Sequence, residues 1–344
     1  MRILSFGHAV PKTRFSNDDT LDYFRERNRD RYSEVQWTDI ERRLRWLLSY
    51  AGTENRYIST DGEPAINFAI AAAQDSLKAA QISAGEIDVI VYASVARGWL
   101  EPSMAVAIQN RLGATNATCF DVVDACASWL RALHIVHALL ASGAYKNALI
   151  VSLECGMADS VQFEFSEANS IERYFAGMTL GEAATATMLT RDDDDDFYFN
   201  FRTFAEHYDL CMLPLANYKQ YAPELTVDAT DSGKFMAYSN KIITNTIGLM
   251  VDVFRSDPRL VSSQFDICFS HSVSMKAARS VADALGLPFS IHFPTHVEFG
   301  NTAAASVPLA MSLAFQQERL KRGDRVLVAV GSAGITIGFA SFTF

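Results

Sequence analysis

The sequence predicts an α/β protein made of two duplicated halves. Short apolar runs of strand length alternate with longer amphipathic segments along its 344 residues, which is typical of sheets covered by helices. The run 87–95 resembles the run 265–273, which lies 178 positions later, and the run 147–152 resembles 324–329, which lies 177 positions later. Matches at one offset indicate two copies of one unit.

The repeat also predicts which turns face each other. The turn around Cys126, shifted by the same offset, falls in the stretch 299–306. We assign residues 1–178 to the first half and residues 179–344 to the second half. Duplicated strand–helix–strand halves can pack as stacked layers of helix and sheet, and this packing brings equivalent turns to a central cleft.

Composition disfavours several classes of protein. The net charge of −10 argues against nucleic-acid binding, which needs a concentrated basic face. The cysteines are odd in number and show no Cys-x-x-Cys spacing, so we expect reduced thiols and a cytoplasmic location. No uncharged apolar run approaches the roughly 18 residues of a membrane span, and the chain enters a strand at once without a signal peptide.

The first elements along the chain are a strand over residues 1–10 and a polar helical region over residues 17–50, followed by an amphipathic helix over 66–80. The polar region holds seven arginines between Arg25 and Arg45, interleaved with acidic residues. Such a pattern is typical of a solvent-exposed face with ion pairs one helical turn apart. The alternative is a docking surface for an acidic carrier protein or for the phosphates of coenzyme A.

The segment around Cys126 is predicted to carry a nucleophile. An apolar run ends at Asp124, small residues flank the cysteine, and about fifteen mostly apolar residues continue to Ser142, which predicts a buried strand turning into a buried helix. A thiol at a helix N-terminus faces unpaired N–H groups and the positive end of the helix dipole, so we expect its pKa to fall towards neutrality. The Asp124 carboxylate would stabilise the helix as a cap, but pointing at the sulfur it would raise the thiol pKa. The alternative is a buried structural cysteine.

Three further stretches end strands of the second half. His271 lies at a strand end before a helix, Asn301 lies in a turn after Gly300, and the small residues 331–334 leave backbone N–H groups open. A thiol, an imidazole, a carboxamide and open amides suit acyl-thioester chemistry. In that chemistry Cys126 attacks a thioester carbonyl, and His271 and Asn301 bind the carbonyl of a second thioester while an enolate forms. The competing interpretation of His271 is a hydrogen-bonded histidine of the core.

These segments resemble those of the β-ketoacyl synthase III family of thiolase-fold condensing enzymes, and the resemblance extends over residues 3–344. It is carried by the stretches 124–127, 300–306 and 331–338, together with His271 before a helix. The resemblance implies a thiolase-like fold in which the two halves form α-β-α-β-α layers. It also implies a homodimer whose substrate tunnels are lined partly from across the dimer. The implied substrates are acyl-coenzyme A or acyl carrier protein, with no cofactor and no metal.

By position, the resemblance assigns catalytic roles. Cys126, His271 and Asn301 match the catalytic triad of the family, and the backbone amides of Cys126 and Ala333 match its oxyanion hole.

The implied contacts with coenzyme A differ in part from the family pattern. Trp46 corresponds to a tryptophan that stacks on the adenine, and Lys276 replaces a basic residue that contacts a phosphate. Tyr50 stands where arginine is frequent. The arginine-rich insert has no counterpart in the compact fatty-acid-initiating enzymes, so the usual first substrate of that subgroup is not implied.

Glu101 distinguishes this chain from those initiating enzymes. They usually carry an apolar residue before the Pro-Ser pair, here Pro102 and Ser103, and that residue gates the partner subunit's tunnel. Glutamate resembles the branch that joins two acyl thioesters head to head, as in long-chain olefin and α-pyrone biosynthesis. Without decarboxylation the carbanion needs a base for the α-proton, and a glutamate in an apolar tunnel has a raised pKa suited to that work. The alternative is an exposed charge at the N-terminus of a helix.

The predicted function is that of an acyltransferase, a β-ketoacyl synthase III-like enzyme that catalyses a Claisen condensation. An acyl group loads onto Cys126 and is joined to a second acyl thioester, which gives a β-keto product in fatty-acid-derived or polyketide-type biosynthesis. The alternatives are a decarboxylating, malonyl-dependent synthase, acyl transfer to a hydroxyl or amine, and an inactive partner subunit.

Two weaker patterns concern the tunnel and metal binding. Phe163, Phe165 and Phe175 are candidates to line an acyl tunnel, with ordinary core packing as the alternative. His134 and His137 fall on one helix face, which we interpret as a polar stripe and not as a metal site.

Overall fold

The computed structural model describes residues 1–156, 160–164, 171–225, 232–271 and 273–344. Its strands are β1 (Arg2–Ala9), β2 (Arg14–Ser16), β3 (Asn55–Tyr57), β4 (Val89–Ala93), β5 (Thr118–Val122), β6 (Asn147–Glu154), β7 (Ala183–Thr190), β8 (Tyr198–His207), β9 (Cys211–Met212), β10 (Met236–Ala237), β11 (Ile267–Ser270), β12 (Arg325–Ser332) and β13 (Gly334–Thr343). Its α-helices are α1 (Asn17–Arg27), α2 (Glu34–Ala51), α3 (Ala65–Ala80), α4 (Met104–Leu112), α5 (Ser128–Ala141), α6 (Ile171–Met178), α7 (Ser239–Arg255), α8 (Pro258–Ser262), α9 (Met275–Leu285), α10 (His296–Phe299) and α11 (Ser306–Gln316). None of the helices described is both long enough and apolar enough to cross a membrane.

Four strands of the first main sheet, in the order β1-β7-β6-β4, have the same order and directions as the strands β8-β13-β12-β11 of the second. The first sheet has the order β1-β7-β6-β4-β5, in which β4 runs parallel to β5 and β6, and β7 runs antiparallel to β6 and β1. The second sheet has the order β11-β12-β13-β8, in which β11 runs parallel to β12, and β13 runs antiparallel to β12 and β8. The strands predicted as copies, β4 with β11 and β6 with β12, occupy equivalent places, so the predicted duplicated α/β architecture is confirmed. The division between residues 178 and 179 stays a prediction, and β7, which follows it, belongs to the first sheet.

Helices cover both sheets and separate them. α3 and α4 pack on one face of the first sheet, α5 and α11 lie between the sheets, and α7 and α9 lie on the far side of the second sheet. Alternating side chains of one strand therefore reach two cores. In β4, Val89, Val91 and Ala93 join the central core, while Ile90 and Tyr92 join the outer one. Burial at both faces explains the unbroken apolar runs in the sequence, and the layers follow the predicted α-β-α-β-α order.

The arginine-rich region forms α1 and α2. Each helix begins with a capping box, built by Ser16 with Asp19 and by Ser33 with Gln36. Their apolar faces share a core with α6. Six of the seven arginines form ion pairs with described residues, as follows: Arg25 with Glu34, Arg29 with Glu26, Arg31 with Glu164, Arg42 with Asp39, Arg43 with Glu172, and Arg45 with Asp18 and Glu41. These pairs support the solvent-exposed interpretation, and the docking surface stays a prediction.

Candidate active site

Cys126 lies in the turn that joins β5 to α5. A hydrogen bond of 2.9 Å from the Ala127 N–H to the Asp124 carbonyl closes the turn, and Ala125 within it has a φ of 45°, in the left-handed region. A residue with a side chain adopts that conformation at a cost of roughly 1–2 kcal/mol. The Ser128 hydroxyl offsets this cost, because it accepts the Asp124 N–H at 2.8 Å and donates to the Ala125 carbonyl at 2.7 Å. Ser128 thereby fixes the turn that presents the thiol.

The prediction of a lowered pKa for Cys126 is wrong. α5 begins at Ser128, so Cys126 lies before the N-cap residue Ala127. Burial, followed by the nearby Cys211 and Glu154, raises the pKa of the thiol above its ordinary value. Desolvation opposes the charged form more strongly than the helix end favours it. The side chain of Cys126 is therefore a neutral thiol at neutral pH, and the predicted role as a nucleophile requires a base.

The carboxylate of Asp124 does not cap α5. It accepts a hydrogen bond of 2.9 Å from Nε of Arg131, one turn into the helix, and the N-cap residue Ala127 has no side-chain cap. Asp124 raises the pKa of Cys126 less than burial, Cys211 and Glu154 do. The ion pair with Arg131 thus compensates the negative charge of Asp124, which lies two residues before Cys126.

His271 lies at the end of β11, where its backbone N–H donates to the Ala329 carbonyl of β12 at 3.1 Å. Its Nδ1 is 2.9 Å from the hydroxyl of Ser306 at the start of α11, a partner that sequence reasoning missed. Burial lowers the pKa of His271 to about 4, and the nearby His296 adds to the effect. The imidazole is therefore neutral at neutral pH, and Nε2 is left to take the proton of Cys126 or to bind a carbonyl.

Asn301 is held where two backbone segments cross closely. Its N–H donates to the Thr179 carbonyl at 2.7 Å, and its carbonyl accepts the Gly181 N–H at 3.1 Å. Gly300 makes the crossing possible, because its φ is 67° and a Cβ atom there would lie 2.6 Å from the Thr179 oxygen. The side-chain Oδ1 accepts the Ala303 N–H at 3.0 Å. Because Oδ1 is occupied by this bond, Nδ2 is the atom of the carboxamide that can donate to a carbonyl.

One cavity is lined by Cys126, His271, Asn301 and Ala333. It has about 1280 Å³ of empty space, including the part open to solvent. Strand ends and turns of both halves supply the predicted site residues, whereas α2, α6, α7 and α9 supply much of the remaining wall. The apolar residues of the wall include Leu47, Phe175, Phe235, Ile242, Ile243, Ile247, Met250 and Val281. The structure thus brings four predicted site residues together, and their catalytic roles stay predictions.

Ser332 connects the turn at Ala333 to the turn of Cys126. Ala333 lies between β12 and β13. The Ser332 hydroxyl donates to the Asp124 carbonyl at 3.0 Å and accepts the Ala127 N–H at 3.2 Å. The strand end 331–334 was predicted, but this contact was not. It fixes the predicted oxyanion-hole residue Ala333 relative to Cys126.

Glu101 is exposed, and it is not among the described residues that line the cavity of its own chain. It lies in the loop before α4, next to Leu100 and close in sequence to Trp99, which are 69% and 42% exposed. The carboxylate of Asp121 accepts the first N–H groups of α4 and so anchors the end of this loop. An exposed glutamate beside apolar side chains fits the predicted role across a dimer. The alternative, a charge before a helix, fits the same position.

Trp46 and Lys276 meet through Tyr50 at the rim of the cavity. Trp46 on α2 is 62% exposed and stacks on Tyr50, with ring centroids 5.7 Å apart. Nζ of Lys276 on α9 lies 4.6 Å from the centroid of the Tyr50 ring. Tyr50 itself lines the cavity. The sequence indicated Tyr50 only as a replaced arginine, and the structure shows that it joins the two predicted coenzyme A contacts into one surface.

Cys211 is a cavity residue that sequence reasoning missed. It lines the cavity together with Cys126, and burial raises the pKa of Cys211 to about 12. Of the three phenylalanines considered for the tunnel, Phe175 lines the cavity and Phe163 packs against the core of α1 and α2. Phe165 lies outside the described residues.

The two histidines of α5 contact an aromatic ring and a carboxylate. His134 stacks on Phe199 with ring centroids 4.7 Å apart, and Nε2 of His137 is 3.0 Å from the Asp195 carboxylate. Within the described ranges, no group of three or more His, Cys, Asp or Glu side chains could hold a metal ion.

Comparison with known proteins gives one consistent set of matches. Residues 120–206 match the family described as 3-Oxoacyl-[acyl-carrier-protein (ACP)] synthase III. Residues 257–344 match the family described as 3-Oxoacyl-[acyl-carrier-protein (ACP)] synthase III C terminal. Together these stretches cover about half of the chain. Over 346 residues, the chain is 27% identical to a beta-ketoacyl-[acyl-carrier-protein] synthase III of Clostridium perfringens, and the alignment covers 98% of each protein.

Solved structures share the fold. The 3-oxoacyl-[acyl-carrier-protein] synthase III of Aquifex aeolicus superposes with a TM-score of 0.81 at 22% identity, over 100% of this chain and 99% of its own. A variant of Xanthomonas campestris OleA with bound lauric acid and lauroyl-CoA superposes with a TM-score of 0.81 at 21% identity, over 99% of this chain and 98% of its own. The predicted thiolase-like fold is confirmed.

Proposed function

Because the chain belongs to the 3-oxoacyl-[acyl-carrier-protein] synthase III family, we propose that it is an acyl-thioester condensing enzyme. One observation carries the proposal: the thiol of Cys126, the neutral imidazole of His271 and the carboxamide of Asn301 line one cavity with largely apolar walls. Acyl chains need such walls, and thioester carbonyls need such polar groups. The substrates are acyl-coenzyme A, acyl carrier protein or both, and the chemistry needs no cofactor or metal.

In the first half-reaction an acyl group moves to Cys126. The thiol is neutral at rest, so His271 takes its proton as the sulfur attacks the thioester carbonyl. A carbon–sulfur bond to Cys126 forms, the bond to the carrier sulfur breaks, and the proton leaves with the carrier thiol. The backbone N–H groups of Cys126 and Ala333 stabilise the oxyanion that forms in between.

In the second half-reaction a carbon nucleophile attacks the acyl-enzyme. His271 and Asn301 bind the carbonyl of the second thioester, and Glu101 of the partner subunit removes its α-proton. The enolate carbon then attacks the acyl carbonyl, the bond to Cys126 breaks, and the proton returns from the glutamate to the sulfur. The Ser306 hydroxyl can accept a hydrogen bond from Nδ1 of His271 or donate one to it. It is therefore compatible with an Nε2 that accepts the thiol proton in the first half-reaction and with an Nε2 that donates to a carbonyl in the second.

We assign the chain to the non-decarboxylating branch that joins simple acyl thioesters head to head. The support is Glu101 before Pro102 and the likeness of the fold to OleA, one structure of which holds lauroyl-CoA, a thioester without a carboxylate to lose. The proposal includes a homodimer, because Glu101 is exposed outside the cavity of its own chain. It also includes a reducing cytoplasm, which the free cysteines fit.

Labelling of the nucleophile tests the proposal. We expect radiolabelled acyl-coenzyme A to label the peptide that carries Cys126, and we expect Cys126→Ala to remove the label. Cys119→Ser, which changes another half-buried thiol, is the matched control and should keep the label. No label on the wild-type protein at any acyl chain length would contradict the proposal. A product that requires malonyl-coenzyme A and releases carbon dioxide would instead indicate the decarboxylating synthase.

A further inference from the structure

Glu154, the last residue of β6, is a buried carboxylate that the proposed mechanism does not use. It is 1% exposed. A buried carboxylate is costly unless hydrogen bonds compensate for the lost water. Its oxygens accept the Val95 N–H at 2.9 Å and the Ala96 N–H at 3.1 Å. The turn 303–305 packs against β6, and the backbone N–H of Ala304 faces the carboxylate closely enough to oppose the rise of its pKa.

These three N–H groups belong to the segments that carry two residues of the proposed mechanism. The first two follow β4 and begin the loop that leads to Glu101, and the third lies in the turn after Asn301. The carboxylate also lies close enough to Cys126 to contribute to the raised pKa of its thiol. One side chain therefore joins the loop of the base, the turn of the carboxamide and the surroundings of the nucleophile.

We propose that Glu154 is a positioning residue for the condensation half-reaction. It holds the loop of Glu101 and the turn of Asn301 at fixed places relative to Cys126, so that both segments meet the same substrate. The inference rests on the proposed function, in which Glu101 and Asn301 act in the second half-reaction and the acylation of Cys126 needs neither. Loss of Glu154 should therefore impair condensation selectively.

The charge of Glu154 has a second effect. Burial raises the pKa of Glu154 to about 7, and the three N–H groups and Arg97 oppose this rise. The other titratable groups that face it are Tyr92 on β4, Cys155 after β6, and Cys126, and Glu154 contributes to the raised pKa of each. An ionised carboxylate at this position opposes formation of the thiolate. Its removal should lower the pKa of the nucleophile.

Three variants separate position from charge. Glu154→Gln keeps the size of the side chain but removes the charge and one acceptor. Glu154→Asp keeps the charge but withdraws the carboxylate from its donors. The matched control is Asp257→Asn, which changes a carboxylate that is 5% exposed and joins Tyr198 and Asn200 of β8 to the start of α8. Asp257 is not one of the described residues that line the cavity.

Rates of the two half-reactions and the reactivity of the thiol are the first readouts. We expect both Glu154 variants to lose at least about tenfold in condensation and less than about threefold in acylation of Cys126. The control should lower both rates only in proportion to its folded fraction. In Glu154→Gln, the pH midpoint for alkylation of Cys126 by iodoacetamide should fall, whereas in Glu154→Asp it should stay near the wild-type value. Equal losses in both half-reactions of the Glu154 variants would overturn the positioning role.

Hydrogen exchange distinguishes failure of this inference from failure of the proposed function. If the wild-type protein condenses no thioesters, the proposed function fails, but the backbone amides of residues 95, 96 and 304 still report on Glu154. Faster exchange in both segments of Glu154→Gln than in Asp257→Asn supports the positioning role. Unchanged exchange in either segment overturns it.

Discussion

At the scale of single residues, the proposed site is built from neutral groups. Burial raises the pKa of Cys126 and lowers the pKa of His271 to about 4. A thiol and a neutral imidazole cost less to bury in an apolar cavity than a thiolate and an imidazolium. In the proposed reaction, charges therefore arise only when a thioester is bound, where backbone N–H groups can stabilise them.

His296 extends this argument to stability. It is 2% exposed, and no group in the described part of the chain forms a hydrogen bond with either of its ring nitrogens. Burial lowers its pKa from 6.5 to about 4. Between these values the unfolded chain binds a proton that the folded chain does not bind, so the folded state loses stability as the pH falls from 6.5 to 4.

Replacement of this histidine should make the protein less sensitive to acid. We expect His296→Phe to reduce the loss of unfolding free energy between pH 7 and pH 4 by up to about 3 kcal/mol, as measured by urea unfolding. The comparison at pH 8, where the imidazole is neutral in both states, gives the effect of packing alone. A pH dependence equal to that of the wild-type protein would contradict the buried neutral imidazole.

At the scale of elements, the site depends on the close crossing of the turn before Asn301 with the chain after α6. Gly300 and Gly113 test this dependence as a pair, because their φ angles are 67° and 70°. A Cβ atom on Gly113 would meet nothing within 4 Å, whereas a Cβ atom on Gly300 would lie 2.6 Å from the Thr179 oxygen. Their ψ angles differ, at −164° for Gly300 and 27° for Gly113. A side chain at Gly300 therefore meets both the collision and a backbone conformation that is almost restricted to glycine, whereas a side chain at Gly113 meets only the smaller cost of the left-handed region.

Alanine at these positions should therefore have different effects. We expect Gly113→Ala to lower the unfolding free energy by about 1 kcal/mol and to leave condensation unchanged. Gly300→Ala should cost about 3 kcal/mol or more and lower condensation at least about tenfold, because the turn of Asn301 must shift. Thermal unfolding and initial rates provide the measurements. Equal effects of the two substitutions would show that the crossing is not essential.

Sequence patterns predicted the strands and helices better than they predicted the contacts between them. Short apolar runs were enough to predict β4 and β11 as strands, because that signal is local, and the likeness of the two runs at an offset of 178 residues predicted that they are equivalent. The bond between His271 and Ser306 joins residues 35 apart, and the bond between Ser332 and Asp124 joins residues 208 apart. No local pattern indicates which serine meets which turn. The prediction of a lowered pKa for Cys126 was wrong for the same reason, since the pKa depends on how much of the folded chain covers the thiol.

At the scale of the whole molecule, the proposed function requires a site that is shared between two copies of the chain. Glu101→Gln should keep the acylation of Cys126 and lose about a hundredfold in condensation of simple acyl thioesters, because the base is absent. Glu206→Gln changes another exposed glutamate and should keep both activities. Full activity of Glu101→Gln with simple acyl thioesters would contradict its role as a base.

Mixing two inactive variants tests whether the site is shared. Cys126→Ala lacks the nucleophile and Glu101→Gln lacks the base. After dissociation and random reassociation of equal amounts, half of the dimers are mixed, and each mixed dimer has one complete site. We therefore expect about a quarter of the wild-type condensation rate. No recovery in the mixture would contradict a site completed across the dimer.

The clamp formed by Ser332 bears on how this enzyme could evolve towards other substrates. Because one hydroxyl binds the turns of Cys126 and Ala333 to each other, the attacking sulfur and both oxyanion donors move as a unit. Room for a longer or branched chain must then be found in the part of the wall to which α2, α7 and α9 contribute side chains. Selection for chain length would thus substitute residues on those helices and leave the reacting atoms in place.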